Sequence, residues 1–114
     1  MHETMIAQSI VETIAREAQE RKLRPVRARI SCGQLNPIND EVMNFAFDLA
    51  AKGTACEGVR LEVRHVPLQA TCKSCGRTFD FDIYSPVCTG CGGADFDLQP
   101  DAPLLLEEIE FEDR

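Results

Sequence analysis

Four cysteines carry the clearest chemistry in this 114-residue chain. Cys72-Lys73-Ser74-Cys75 and Cys88-Thr89-Gly90-Cys91 are two pairs with two-residue gaps, separated by twelve residues. Each pair suits a tight turn that aims two sulfurs at one point, and two such turns supply a tetrahedron of thiolates. That donor set fits zinc, and iron takes the same S₄ geometry. The spacer between the pairs is a little shorter than usual for this pattern, yet long enough for a hairpin. Gly76 follows the first pair, and Gly92 and Gly93 follow the second. Glycine there admits positive φ, so backbone amides can turn back toward the sulfurs. A closed four-cysteine site has no open coordination position; it staples a fold and is not a catalytic centre. Redox exchange through one Cys-x-x-Cys pair is disfavoured because the pairs are doubled. The other two cysteines, Cys32 and Cys56, read as small buried apolar residues.

A second chemistry stands at the opposite end, in Met1-His2-Glu3. Histidine at position 2 can present its imidazole beside its own backbone nitrogen and the terminal amine. Divalent nickel and copper accept such nitrogen sets in square-planar form. Glu3 adds an oxygen donor, or an anion at the positive start of a helix. On composition alone the same triplet also reads as a frayed terminus. His65 ends an alternating apolar series and reads as a structural histidine.

Composition narrows the remaining classes. The net charge is −7, and four zinc-bound thiolates would make it more negative still. Binding to phosphate backbones rests on cationic surface, so nucleic acid is not an expected partner. Trp is absent and Tyr84 is the sole tyrosine, which also weighs against a base-stacking surface. Six of the twelve basic residues fall between Arg16 and Arg29; this stretch is either a solvated face or a docking patch for an acidic partner. No apolar run approaches the roughly 20 residues that span a membrane. With no secretory signal, the cysteine usage fits a reducing cytoplasm. There is no nucleophile motif and no phosphate loop, so an enzyme is not expected.

The elements that must position these groups follow from periodicity. Ile6, Ile10 and Ile14, with Ala7, Val11, Ala15 and Ala18, give one apolar stripe of a helix over 4–23. Pro25 blocks its continuation. Val26, Ala28, Ile30 and Cys32 alternate with Arg27, Arg29 and Ser31 as a half-buried strand. A second helix starts with Asn36 as cap and Pro37 at its first position, or later at Asn39 or Asp40, and runs to Lys52. It is expected to bury Val42, Phe45, Ala46 and Leu49, with Gly53 as its stop. Val59, Leu61 and Val63 form the next strand, and Leu104 to Phe111 the last. The cysteine module, 69–97, lies between those two strands. The expected fold is α+β: two helices packed on a small three-stranded sheet, with an inserted zinc-ribbon module. The expected domains are 1–68 with 98–114, and 69–97.

Taken together, these features resemble the HypA family, nickel-delivery proteins of nickel–iron hydrogenase maturation. The resemblance spans nearly the whole chain. It rests on Met1-His2-Glu3, Gly33-Gln34-Leu35, Phe45-Ala46-Phe47, Gly53-Thr54 leading to Glu57-Gly58-Val59, and the doubled Cys-x-x-Cys. It implies a metallochaperone with nickel as transient cargo on His2, Glu3 and the backbone of Met1, and structural zinc on Cys72, Cys75, Cys88 and Cys91. Some relatives add a carboxylate from the start of the second helix. In this chain Asn39 holds the matching position, with Asp40 beside it as donor or helix cap. The implied partners are a HypB-type GTPase and the hydrogenase large subunit, with urease maturation proteins left open. Imidazole binds metal when neutral, so nickel affinity is expected to fall as pH drops through the histidine range. The alternative reading is a zinc-ribbon module that binds protein or nucleic acid.

Overall fold

In the computed structural model, which describes residues 3–114, the apolar stripe of the first helix lies where its period puts it. Helix α1 (Glu3–Arg21) buries Ala7, Ile10, Val11, Ile14 and Ala18. It ends two residues earlier than the periodicity suggests. Lys22 turns to φ +56°, and the amide of Leu23 reaches back to the carbonyl of Ala18 at 3.1 Å. This is the left-handed closure that glycine usually supplies. Strand β1 (Arg24–Cys32) then carries Pro25 near its start, where the missing amide disturbs the ladder least.

Helix α2 (Asp40–Ala51) is capped by Asn39, whose Oδ1 accepts from the amide of Val42 at 3.0 Å. The earlier start at Asn36-Pro37 is therefore corrected to the later one. Strand β2 (Arg60–His65) runs parallel to β1, with Cys32 opposite His65. Parallel neighbours need a crossover, and α2 provides it. Strand β6 (Leu105–Glu112) pairs antiparallel on the other side of β1, giving the order β2-β1-β6.

The two helices lie on one face of this sheet. Ala28, Ile30 and Cys32 of β1 join Leu61, Val59, Ile38 and the α1 stripe in one core. The α2 face differs from the expected one. Met43 and Phe47 are fully buried with Ala46 and Ala51, whereas Val42, Phe45 and Leu49 are exposed. The helix is apolar around most of its circumference, so two overlapping stripes compete. The core takes the stripe whose largest members, Met43 and Phe47, fill the space over the sheet. Each such side chain contributes roughly 2–3 kcal/mol on burial.

The opposite sheet face is ionic. Arg27 pairs with Glu62 at 2.6 Å, Arg29 with Glu108 at 3.0 Å, and Arg64 with Glu107 at 2.8 Å. Arg21 pairs with Glu17, and Arg24 with Glu112. Four of the six basic residues between 16 and 29 are thus matched by glutamates. Those pairs favour the solvated-face reading of the stretch over a docking patch.

Between β2 and β6 the chain builds a second sheet of order β4-β3-β5, from β3 (Gln69–Cys72), β4 (Thr78–Asp80) and β5 (Phe96–Leu98). Two side chains tie it to the first sheet. Gln34 accepts from the amide of Leu68 at 2.9 Å and donates to the carbonyl of Phe81 at 3.4 Å. Asp101 accepts from the amides of Gln34 and Leu35, both at 3.0 Å. A Cβ on Gly33 would lie 2.2 Å from the Asp101 carboxylate, so only glycine lets that carboxylate sit there. The molecule is elongated, 55 × 24 × 16 Å, with the ribbon beyond the α/β body.

Candidate metal centre

Each cysteine pair closes a turn of the same design. In the first, the amide of Gly76 donates to the carbonyl of Cys72 at 2.9 Å, and the amide of Cys75 points at the Cys72 sulfur at 3.5 Å. In the second, the amide of Gly92 donates to the carbonyl of Cys88 at 2.9 Å, and the amide of Gly90 points at the Cys88 sulfur at 3.3 Å. Gly76 and Gly92 both sit at φ +74°, the left-handed region that their positions after each pair suggested. The β3–β4 pairing brings the first turn to the end of the sheet, and the β3–β5 pairing returns the chain from the second.

The four sulfurs converge. Cys72 Sγ lies 3.6 Å from Cys91 Sγ, and Cys75 Sγ lies 3.6 Å from Cys88 Sγ. All four lie within 4.8 Å of one another, and no other group of three or more His, Cys, Asp or Glu donors converges this way among the described residues. Zinc–sulfur bonds of about 2.3 Å in a tetrahedron place sulfurs about 3.8 Å apart, so the spacing is consistent with a zinc site. Electrostatics points the same way. Amide donation, chiefly from Cys75, lowers the Cys72 thiol to about 6. The amide of Cys91 is the main cause of the lowering at Cys88. Cys91 receives the Gly93 amide, but its neighbour Cys72, burial and the other two sulfurs push it up to about 11. Four sulfurs this close cannot all ionise without a cation to share.

Phe79 and Phe96 meet edge-on beside the cluster at 5.8 Å, and Phe81 tilts onto Phe96 at 5.5 Å. Phe79 of the spacer thus joins Ala70, Cys72 and Cys88 in the ribbon's small core, with Phe81 and Phe96 packed against it. The sulfur-directed amides of Cys75 and Gly90 have no sequence signature of their own beyond the glycines that follow each pair.

Of the other sequence-predicted donors, Met1 and His2 lie outside the described residues. Glu3 opens α1. Asp40 is the first residue of α2, and its Oδ1 stands 2.6 Å from His65 Nε2. The other ring nitrogen of His65, Nδ1, is 3.4 Å from the Cys32 sulfur. His65 therefore links the end of β2 to the start of α2, a structural use that the alternating pattern alone did not reveal. The capping task falls to Asn39, and Asp40 is engaged by His65.

With the geometry in place, comparisons with known proteins agree among themselves. The family described as "HypA: Hydrogenase/urease nickel incorporation, metallochaperone, hypA" matches residues 1–111. A hydrogenase maturation factor HypA from Nostoc sp. (strain PCC 7120) is 35% identical over 99% of this chain and 97% of its own length. Its counterpart from Rhodopseudomonas palustris (strain TIE-1) is 32% identical over 98% of this chain and all of its own. Among solved structures, the solution structure of the Ni metallochaperone HypA from Helicobacter pylori covers both chains entirely with a TM-score of 0.64. At 17% identity that likeness speaks for the fold. No helix of the described residues is long and apolar enough to cross a membrane.

Proposed function

This chain belongs to the HypA family of hydrogenase and urease nickel-incorporation metallochaperones, and from that premise we propose that it carries Ni(II) at its N-terminus. The donors in this reading are the His2 imidazole, Glu3 and the backbone of Met1. Zinc is the resident ion, held by Cys72, Cys75, Cys88 and Cys91, and its work is structural. Nickel is cargo. A carrier that must release its metal holds it at an open surface site, while a staple holds its metal in a closed one. The single observation that carries the reading is a whole-chain family match that begins at residue 1 and so includes Met1-His2-Glu3. Asp40 is a weaker candidate as a further donor, since its carboxylate already faces His65.

In this reading the α/β body, 1–68 with 98–114, handles nickel, and 69–97 is a zinc-ribbon domain. The chain performs ligand exchange with docked proteins and catalyses no covalent chemistry. Its partners are a HypB-type GTPase and the nickel–iron hydrogenase large subunit, with urease maturation proteins as a second set, all in the cytoplasm. The test is calorimetric nickel titration of the zinc-loaded protein with its native terminus, beside a version carrying extra residues ahead of Met1. The extension removes the free terminal amine, and nickel affinity is expected to fall by about tenfold or more. Equal affinity would place the nickel elsewhere.

A further inference from the structure

The corrected face of α2 leaves a surface without an assigned task. Val42, Phe45 and Leu49 stand 48%, 67% and 51% exposed along one side of the helix. Their spacing of three and four residues makes them a continuous stripe. They form one wall of a hollow of about 240 Å³, with Ala46 and Ala50 as its floor and Thr4 and Gln8 of α1 as the other wall. Small floor residues between larger walls make this a groove that can receive side chains, unlike a flat patch.

The hollow's own lining carries no charge, and the charged side chains of α2 are all acidic. Glu41 and Asp48 adjoin Val42 and Leu49, α2 has no basic side chain, and Asp40 is turned to His65 instead. On α1, Glu3 precedes Thr4 and Glu12 lies one turn beyond Gln8, and Glu12 is exposed. Lys52, the next cation along the chain, lies beyond the end of α2 at its C-cap. An apolar groove with an acidic border is complementary to an apolar stripe with basic flanks, presented at helical spacing.

We propose that the α1–α2 groove is a docking surface for a basic amphipathic helix of a partner protein, whose apolar side chains enter between Phe45, Leu49 and Gln8. The inference does not depend on the carrier reading, because its test uses zinc-loaded protein without nickel. A short helical peptide of leucine and lysine, with leucines at i, i+3, i+4 and i+7, serves as the probe. A leucine–glutamate peptide of the same pattern is its control. Both are titrated into the isotope-labelled full chain and followed by amide chemical shifts.

The expected result is binding of the lysine peptide alone, with shifts concentrated at Thr4, Gln8 and 42–50. The double variant Phe45→Ser/Leu49→Ser, unchanged in thermal unfolding, should weaken binding by about tenfold or more. Reversing the border with Glu41→Lys/Asp48→Lys should weaken it by several-fold. The proposal is overturned if the serine variant binds as well as the wild type, since attraction would then be charge alone. It is equally overturned if the shifts fall on the second apolar hollow, between α1 and β6 at Met5, Ile10 and Leu106, or if the lysine peptide does not bind.

Discussion

Among the described residues, Cys72 and Cys88 are two of only four in the ribbon's buried core cluster, whereas Cys32 and Cys56 are two of fifteen in that of the α/β body. The same residue type does opposite work in the two regions. In the body, cysteine is packing: Cys56 donates to the carbonyl of Val11 at 3.4 Å, and burial pushes its thiol up. In the ribbon, cysteine is the framework, and its sulfurs attract backbone amides that hold thiolate charge. A core of four residues with two edge-packed phenylalanines is too small to stand by itself. A ribbon this small is expected to depend on a bound ion for its fold, and the body, with its larger core, is not.

Removing zinc puts that contrast to its severest test. Chelation, or Cys72→Ser, should unfold residues 69–97 while the body keeps a cooperative transition, because structural zinc supplies on the order of 10 kcal/mol to modules of this kind. Amide chemical-shift dispersion of the two regions, followed separately, reads this out. A ribbon that stays dispersed after chelation would show that its aromatic core suffices.

Within the body, two phenylalanines on one helix sharpen the picture. Phe47, 1% exposed, should cost about 3–5 kcal/mol when changed to Ala, and Phe45, 67% exposed, should stay within about 0.5 kcal/mol. Urea denaturation measures both, and equal costs would restore the face that periodicity suggested. The junction comes next in size. Gly33→Ala drives a methyl into the Asp101 carboxylate and should cost about 1–3 kcal/mol. It should also loosen the link between the regions, visible as more independent tumbling of the ribbon in NMR relaxation. The smallest effect belongs to Asp40→Asn. Its bond to His65 is exposed and should be worth about 1 kcal/mol or less. Nickel affinity should change by less than about twofold if His2 and the terminus carry the cargo.

These regions were not equally legible in the sequence. The cysteine turns were, because spacing and trailing glycines state a local geometry that needs no distant partner. Helix α1 was legible because it has one apolar stripe and a polar remainder. The buried face of helix α2 was only partly legible, for the opposite reason: Ala46 is buried as expected, but Val42, Phe45 and Leu49 satisfy the helical period as well as Met43 and Phe47 do. Only the space over the sheet decides between them. The close of α1 at Lys22 carried no signal, because a lysine stands where glycine usually marks the turn. The clasp of Gly33, Gln34 and Asp101 joins residues 66 or more positions apart, and no local pattern announces it. The same holds for the contact of Asp40 with His65.

The proposed function also divides the metals between those regions: a resident ion on four sulfurs, and a cargo ion at the other end of the chain. Metal analysis of protein with its native terminus, after exposure to both zinc and nickel, tests it most directly in wild type against His2→Ala. About one zinc per chain is expected in both proteins, and bound nickel in the wild type alone. Nickel retained by His2→Ala, or nickel displacing zinc from the cysteines, would contradict it.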